Sequence, residues 1–154
     1  MSREDTLANL LRADATLVAL LPGGIYTDNQ LGVEGLRRGE DSPCAAAYDD
    51  DGLLVPCAVV RMGGEIPYGE VRNIHDKFVA MSQLIMVYFF EMRGSEIVIQ
   101  AKLESYRILE GQRLGETYPI WMSRETAPVP DGGPIANSTM LCQDWMVVFV
   151  RQSA

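Results

Sequence analysis

The sequence has no apolar run long enough to cross a bilayer. Its longest, Leu84 to Phe90, is seven residues, where a spanning helix needs roughly 18 or more. The N-terminus places Arg3, Glu4 and Asp5 ahead of its apolar stretch and Asp14 inside it, which is the wrong pattern for a signal peptide. Synthesis in the cytoplasm without membrane association is therefore expected. Cysteine is scarce too. Cys44, Cys57 and Cys142 are odd in number, widely spaced and without a C-x-x-C pair, so structural zinc is not expected and buried reduced thiols are.

Cations are outnumbered. Thirteen Lys and Arg face twenty-one Asp and Glu, a formal net charge of -8. Affinity for nucleic acid that is independent of sequence comes from cations displacing counterions along the phosphates. Tight duplex binding is therefore not expected, while tolerance of DNA sliding past is compatible with the charge. Arg37-Arg38 is a lone basic pair rather than a patch.

Catalytic motifs are also missing. The single histidine, His75, sits beside Asp76 in a polar stretch, but no G-x-S-x-G supplies a nucleophile. No P-loop or G-x-G-x-x-G is present. Asp49-Asp50-Asp51-Gly52 invites a calcium reading, yet with Gly52 at the sixth place the first and twelfth places are Ala47 and Ala58. Neither has a side-chain oxygen, so the motif fails. Asn137-Ser138-Thr139 is a glycosylation sequon without a secretory route. The expectation is a chain with no catalytic residues, no metal and no cofactor.

What remains is architecture. Ser2 caps a helix with Asp5 at its third position. Leu7, Leu10, Leu11, Val18 and Leu21 then form one helical face, with Arg3, Asn9, Arg12 and Thr16 opposite, so a single helix is expected to run to Pro22. Pro22-Gly23-Gly24 stops it, and a short strand begins at Ile25-Tyr26. Residues 27–43 read as loop with a helical turn at Val33 to Arg38. "CAAAYDDDGLLVPCAVVRM" reads as a hairpin turning at Asp51-Gly52, with Pro56 marking an edge or bulge. A long polar connection, "GGEIPYGEVRNIHDK", follows.

Val79 to Met92 is the strongest strand signal. Leu84, Met86, Tyr88 and Phe90 face one way and Ile85, Val87 and Phe89 the other, so the strand is expected to be central and covered on both sides. Gly94-Ser95 opens a second helix with a stripe of Ile97, Val98, Ala101, Ser105, Ile108 and Leu109. "YPIWMSRE" and "MLCQDWMVVFVR" are further strands, around an extended Pro/Gly loop at residues 126–139, and Trp121 and Trp145 serve as core or interface packing. Runs of strands punctuated by two helices, without βαβ alternation, give an α+β fold: a mostly antiparallel sheet flanked by an N-terminal helix and a helix after the central strand. One domain over residues 1–154 is expected.

The stretch "LLRADATLVALLPGGIY" and the "GGIYTD" strand start resemble the N-terminus of the tail-completion, or tail-terminator, proteins of long-tailed bacteriophages. Residues 7–28 approach a motif, and the strand from Gln83 to Phe90, the helix from Ser95 and the final strand continue the likeness as a pattern of elements. The chain departs from it by its long segment from Thr27 to Met62.

The resemblance implies a structural virion protein of the phage neck. It implies a homo-oligomer, a hexameric ring that ends the tail tube, meets the tail-tube protein and the head-completion or connector protein, and lets DNA pass. A head-completion or connector protein of similar ring geometry, or a small acidic binding module or assembly chaperone, are the alternatives. Two segments are candidate surfaces: the acidic tip Asp49, Asp50 and Asp51, facing lumen or outside, and a subunit-contact loop of Pro128, Pro130, Asp131, Gly132, Gly133 and Pro134.

Overall fold

The computed structural model describes residues 1–68, 73–75, 78–130 and 137–152. Their architecture is the expected α+β class. A seven-stranded sheet carries the main path β1-β2-β4-β7-β5, with short β3 on β4 and β6 on β7. The strands are β1 (Ile25–Thr27), β2 (Cys57–Pro67), β3 (Asn73–His75), β4 (Phe78–Met92), β5 (Trp121–Glu125), β6 (Val129–Pro130) and β7 (Ser138–Gln152). All pairs are antiparallel except β1 with β2.

The opening helix is two helices, α1 (Arg3–Arg12) and α2 (Ala15–Leu20). Ser2 caps the first as expected, its hydroxyl accepting from the Asp5 amide at 3.1 Å. The break comes from Asp14, whose carboxylate accepts from the Leu17 amide at 2.9 Å and starts a new helix. A short acidic side chain competes well for backbone amides at a helix start and poorly in a helix interior. The break rotates the second stretch, so Leu7, Leu11, Leu17 and Leu21 enter the core while Val18 faces solvent. Arg3 does not point away either: its guanidinium lies 3.6 Å from the centre of the Phe149 ring and donates to Gln83 at 3.1 Å.

The glycine stop has a tight contact behind it. A Cβ on Gly23 would lie 2.8 Å from the carbonyl oxygens of both Val55 and Pro56, and the Gly23 amide donates to Pro56 at 2.8 Å. Only a residue without a side chain fits against that backbone. The abrupt end therefore seats the N-terminal layer on the start of β2.

Central β4 pairs with β7 without a break from Phe78↔Gln152 to Met92↔Ser138, and with β2 on its other side. Its Ile85, Val87 and Phe89 are fully buried under α1, α2 and α4 (Glu96–Leu109). The expected polar connection after Met62 is in part strand, because β2 continues to Pro67. The register slips between Met62 and Glu65, where Gly63 allows close approach to the Leu84 carbonyl, 3.1 Å from where a Cβ would lie.

Helix α4 buries Val98, Ala101, Ser105 and Leu109. Its start is capped not by Ser95 but by the buried Glu91 carboxylate, which accepts from the Ile97 amide at 2.8 Å and the Val98 amide at 3.2 Å. The last residue but one of the strand thus satisfies the first amides of the helix, where a negative charge is also favoured by the dipole.

The other sheet face is closed over its upper half by residues 28–56. Their expected hairpin is reduced to one bridge, Tyr48↔Leu54. The Ala45–Ala47 arm is a 3₁₀ turn, since three small residues there pack inward through Ala47 rather than extend. The helical turn falls at α3 (Asp28–Leu31) and Gly32–Glu34, earlier than Val33 to Arg38. A Thr27–Gln30 capping box starts α3. Leu31, Cys44, Ala47 and Leu54 meet Cys57, Val59 and Phe90 in a second, smaller core.

Candidate functional site

The acidic tip is a built turn. Asp49, Asp50 and Asp51 are exposed. The Asp49 carboxylate accepts from the amides of Asp51 at 3.0 Å and Leu53 at 2.9 Å, and Gly52 takes φ +75°. Asp49 therefore holds the turn, while Asp50 and Asp51 are presented outward. Arg38 lies over the Tyr48 ring at 5.6 Å and 3.5 Å from where a Cβ on Gly52 would stand. A guanidinium thus backs the tip and partly offsets its charge.

Of the expected contact loop, Pro128 is half-buried and Pro130 is exposed in β6. Asp131, Gly132, Gly133 and Pro134 lie outside the described residues. Pro128 and Pro130 border an open depression of about 450 Å³ with Arg93, Gly94, Ser95 and Thr139. The structure does not bring this loop and the acidic tip into one site.

Two apolar surfaces were not anticipated. One is a groove of about 520 Å³ between the α3 turn and the outer sheet face, walled by Leu31, Leu36, Val59, Tyr88, Phe90 and Met140. At its rim Arg61 donates to Asp28 at 3.0 Å, which pushes the Arg61 pKa up from its already high value. Val33 stands beside it, fully exposed. The other lies lower on the same sheet face, a depression of about 390 Å³ lined by Tyr68, Ala80, Tyr118, Trp121 and Val148. The even-numbered set of β4 was the available signal, but its neighbours come from segments remote in sequence.

The three cysteines are buried and unpaired. Burial pushes the Cys57 thiol up to about 12, and burial with the nearby Asp144 does the same for Cys142. Thiols held neutral in this way make poor nucleophiles. Among the described residues, no three His, Cys, Asp or Glu side chains converge as metal ligands, and no helix is long and apolar enough to cross a membrane. Trp145 is fully buried with its ring 6.2 Å from that of Tyr106, whereas Trp121 is half-buried on the outer face. The surface offers apolar depressions and solvated carboxylates.

A two-layer α+β sandwich with one long antiparallel strand pair and an irregular outer cap is thus the class the geometry defines. No protein-family model matches the sequence, and no curated protein matches it. Among solved structures the fold is similar to a chain of the virion of a native gene transfer agent (GTA) particle. That match has a TM-score of 0.63 at 15% identity and covers 96% of this chain and 94% of the other. At that identity the likeness is one of fold, and it extends over nearly the whole of both chains.

Proposed function

We propose that this chain is a structural protein of a phage-like virion, a single tail-terminator-like domain over residues 1–154 that acts without catalysis, metal or cofactor. In this reading copies assemble into a ring, hexameric by the resemblance, at the end of the tail tube. The ring stops tube growth and joins the tube to a head-completion or connector protein. The observation that carries the reading is the near-full-length likeness of fold to a chain of a gene transfer agent virion. The N-terminal pattern ending at Pro22-Gly23-Gly24 and the surplus of carboxylates support it.

The charge argument is physical. A passage for DNA must not grip it, and a surface with few unpaired cations releases few counterions on contact with phosphates. Asp50 and Asp51, exposed on a rigid turn, repel a duplex wherever they meet one. In this reading the tip faces the lumen, and the Pro128–Pro130 segment touches a neighbouring copy.

The test is mass measurement of the purified protein, alone and mixed with its tail-tube subunit. A ring, or a ring formed on the tube end, is the expected result. A monomer in both conditions overturns the reading in favour of a ring-free binding module. No duplex binding is expected even at reduced salt. Changing Asp49, Asp50 and Asp51 together to Lys is expected to create salt-dependent DNA binding and to slow DNA passage in assembled particles. Normal passage in such particles removes the lumen placement.

A further inference from the structure

Three buried polar atoms of the inner layer have no hydrogen-bond partner among the described residues: the Ser105 hydroxyl of α4, and Gln143 Oε1 and the indole Nε1 of Trp145 on β7. All three residues are 0% exposed. Contacts on either side tie their positions together. Gln143 Nε2 donates to the Lys102 carbonyl at 2.8 Å and to Glu125 Oε1 at 2.9 Å. Both partners are acceptors, which fixes the orientation of the amide and leaves Oε1 in need of a donor. Trp145 follows two residues along β7, on the same face of the sheet, with its ring 6.2 Å from that of Tyr106. The step from Lys102 to Tyr106 along α4, about 6 Å, therefore runs beside the step from Gln143 to Trp145 along β7, about 7 Å. Ser105 falls within it.

We propose that one buried water molecule bridges Ser105, Gln143 and Trp145 and is a fixed part of the contact between α4 and β7. The proposal is independent of the ring reading. The three groups complement a water better than they complement one another. Gln143 Oε1 only accepts, the indole N–H only donates, and the hydroxyl does both. A direct bond from Trp145 to Gln143 serves two of them and leaves the Ser105 hydroxyl without a partner. A water accepts from Trp145, donates to Gln143 and shares a third bond with Ser105. Three bonds are the usual complement of a buried water.

Side-chain size supplies a second reason. The buried stripe of α4 is Val98, Ala101, Ser105 and Leu109. Its two smallest members, Ala101 and Ser105, stand one turn apart beside Gln143 and Trp145, so the helix fills the contact least where the three polar atoms are. The same water completes a polar path through an otherwise apolar layer. Lys102 Nζ pairs with Glu125 at 3.4 Å near the surface, Glu125 holds Gln143, and the water carries the path on to Ser105 and Trp145. A buried polar group left without a partner keeps its full desolvation cost. A single molecule that satisfies three such groups removes that cost and ties α4 to one register on β7.

The test begins with the wild-type protein. A crystal structure with ordered solvent is expected to show one water within about 3.2 Å of Ser105 Oγ, Gln143 Oε1 and Trp145 Nε1. Trp145 Nε1 donating directly to Gln143 Oε1, or all three atoms bonded to protein atoms alone, overturns the proposal. In solution, the indole N–H of Trp145 is told from that of the other tryptophan by Trp121→Phe. It is expected to give a cross-peak at the water frequency whose NOE and ROE have opposite signs, as a water held inside the fold does and a surface water does not. Ser105→Ala separates a bound water from proton exchange at the Ser105 hydroxyl. The cross-peak is expected to persist in that variant, because Gln143 and Trp145 still hold the water. Its loss there assigns the signal to the hydroxyl and overturns the proposal, as does its absence from the wild type.

Discussion

The two faces of the sheet are closed by different kinds of chain. On the inner face, three helices with regular apolar spacing press Leu7, Leu11, Leu17, Val98, Ala101 and Leu109 against Ile85, Val87 and Phe89. On the outer face, residues 28–56 cross the upper half as turns and short helical pieces. They place single residues, Leu31, Cys44, Ala47 and Leu54, on Cys57, Val59 and Phe90. Over the lower half, Tyr68, Tyr118 and Trp121 border an open depression on Ala80 and Val148. A periodic segment buries a continuous stripe, whereas an irregular one buries isolated side chains and leaves more of its backbone to water. The inner face is therefore the main source of stability, and the outer face is where surface remains for contact.

The sharpest way to break that comparison is Phe89→Ala. The side chain is fully buried in the larger core, so a loss of about 3–5 kcal/mol is expected, read by denaturant titration with unchanged slope. A smaller effect is expected on the other face. Leu54→Ala removes a buried side chain from the second core and is expected to cost about 2 kcal/mol. Its amide exchange is expected to accelerate across residues 44–56 while α4 stays protected. Equal global loss from the two variants would make the faces one cooperative core.

The smallest expected effect sharpens the inner face itself. Asp14→Ala removes the cap of α2 and is expected to cost about 1 kcal/mol near neutral pH. The Leu17 amide first, and the Arg107 guanidinium beside it, hold the Asp14 carboxyl below its ordinary 3.8. A depressed folded pKa stabilises the native state above the unfolded value and loses that contribution as pH falls through the folded one. The deficit of the variant against wild type is therefore expected to shrink once pH drops below 3.8. A deficit that does not change with pH would assign the loss to something other than the cap.

The inner face was largely legible in the sequence. Alternation placed β4 at the centre, and helical spacing picked out the stripe of α4. The N-terminal face was legible except at Asp14, where a polar residue inside an apolar repeat marked a new start rather than a tolerated insertion. The outer face was not legible. "AAAYDDDG" carries the turn at Asp51-Gly52, but whether its arms extend depends on Ala47 packing beneath Leu54 and Phe90, a contact distant in sequence. The cap on α4 hid for a related reason. Ser95 is the local candidate, while Glu91, the residue used, reads as the polar end of a strand. Of the candidate surfaces, the exposed tip followed from the cost of burying three carboxylates. The two apolar depressions did not, because each is assembled from segments that only the fold brings together.

The Glu91 cap also bears on the order in which the chain acquires its shape. It joins residues only 6 apart along the chain, whereas the Asp28–Arg61 pair across the β1–β2 edge joins residues 33 apart. On loop-closure entropy the longer join costs about 1.5 kcal/mol more. The corner from β4 into α4 can therefore close early, with its helix already started. The parallel edge strand closes only over the longer loop, and the β4–β7 pairing over a longer one still, from Met92↔Ser138 to Phe78↔Gln152.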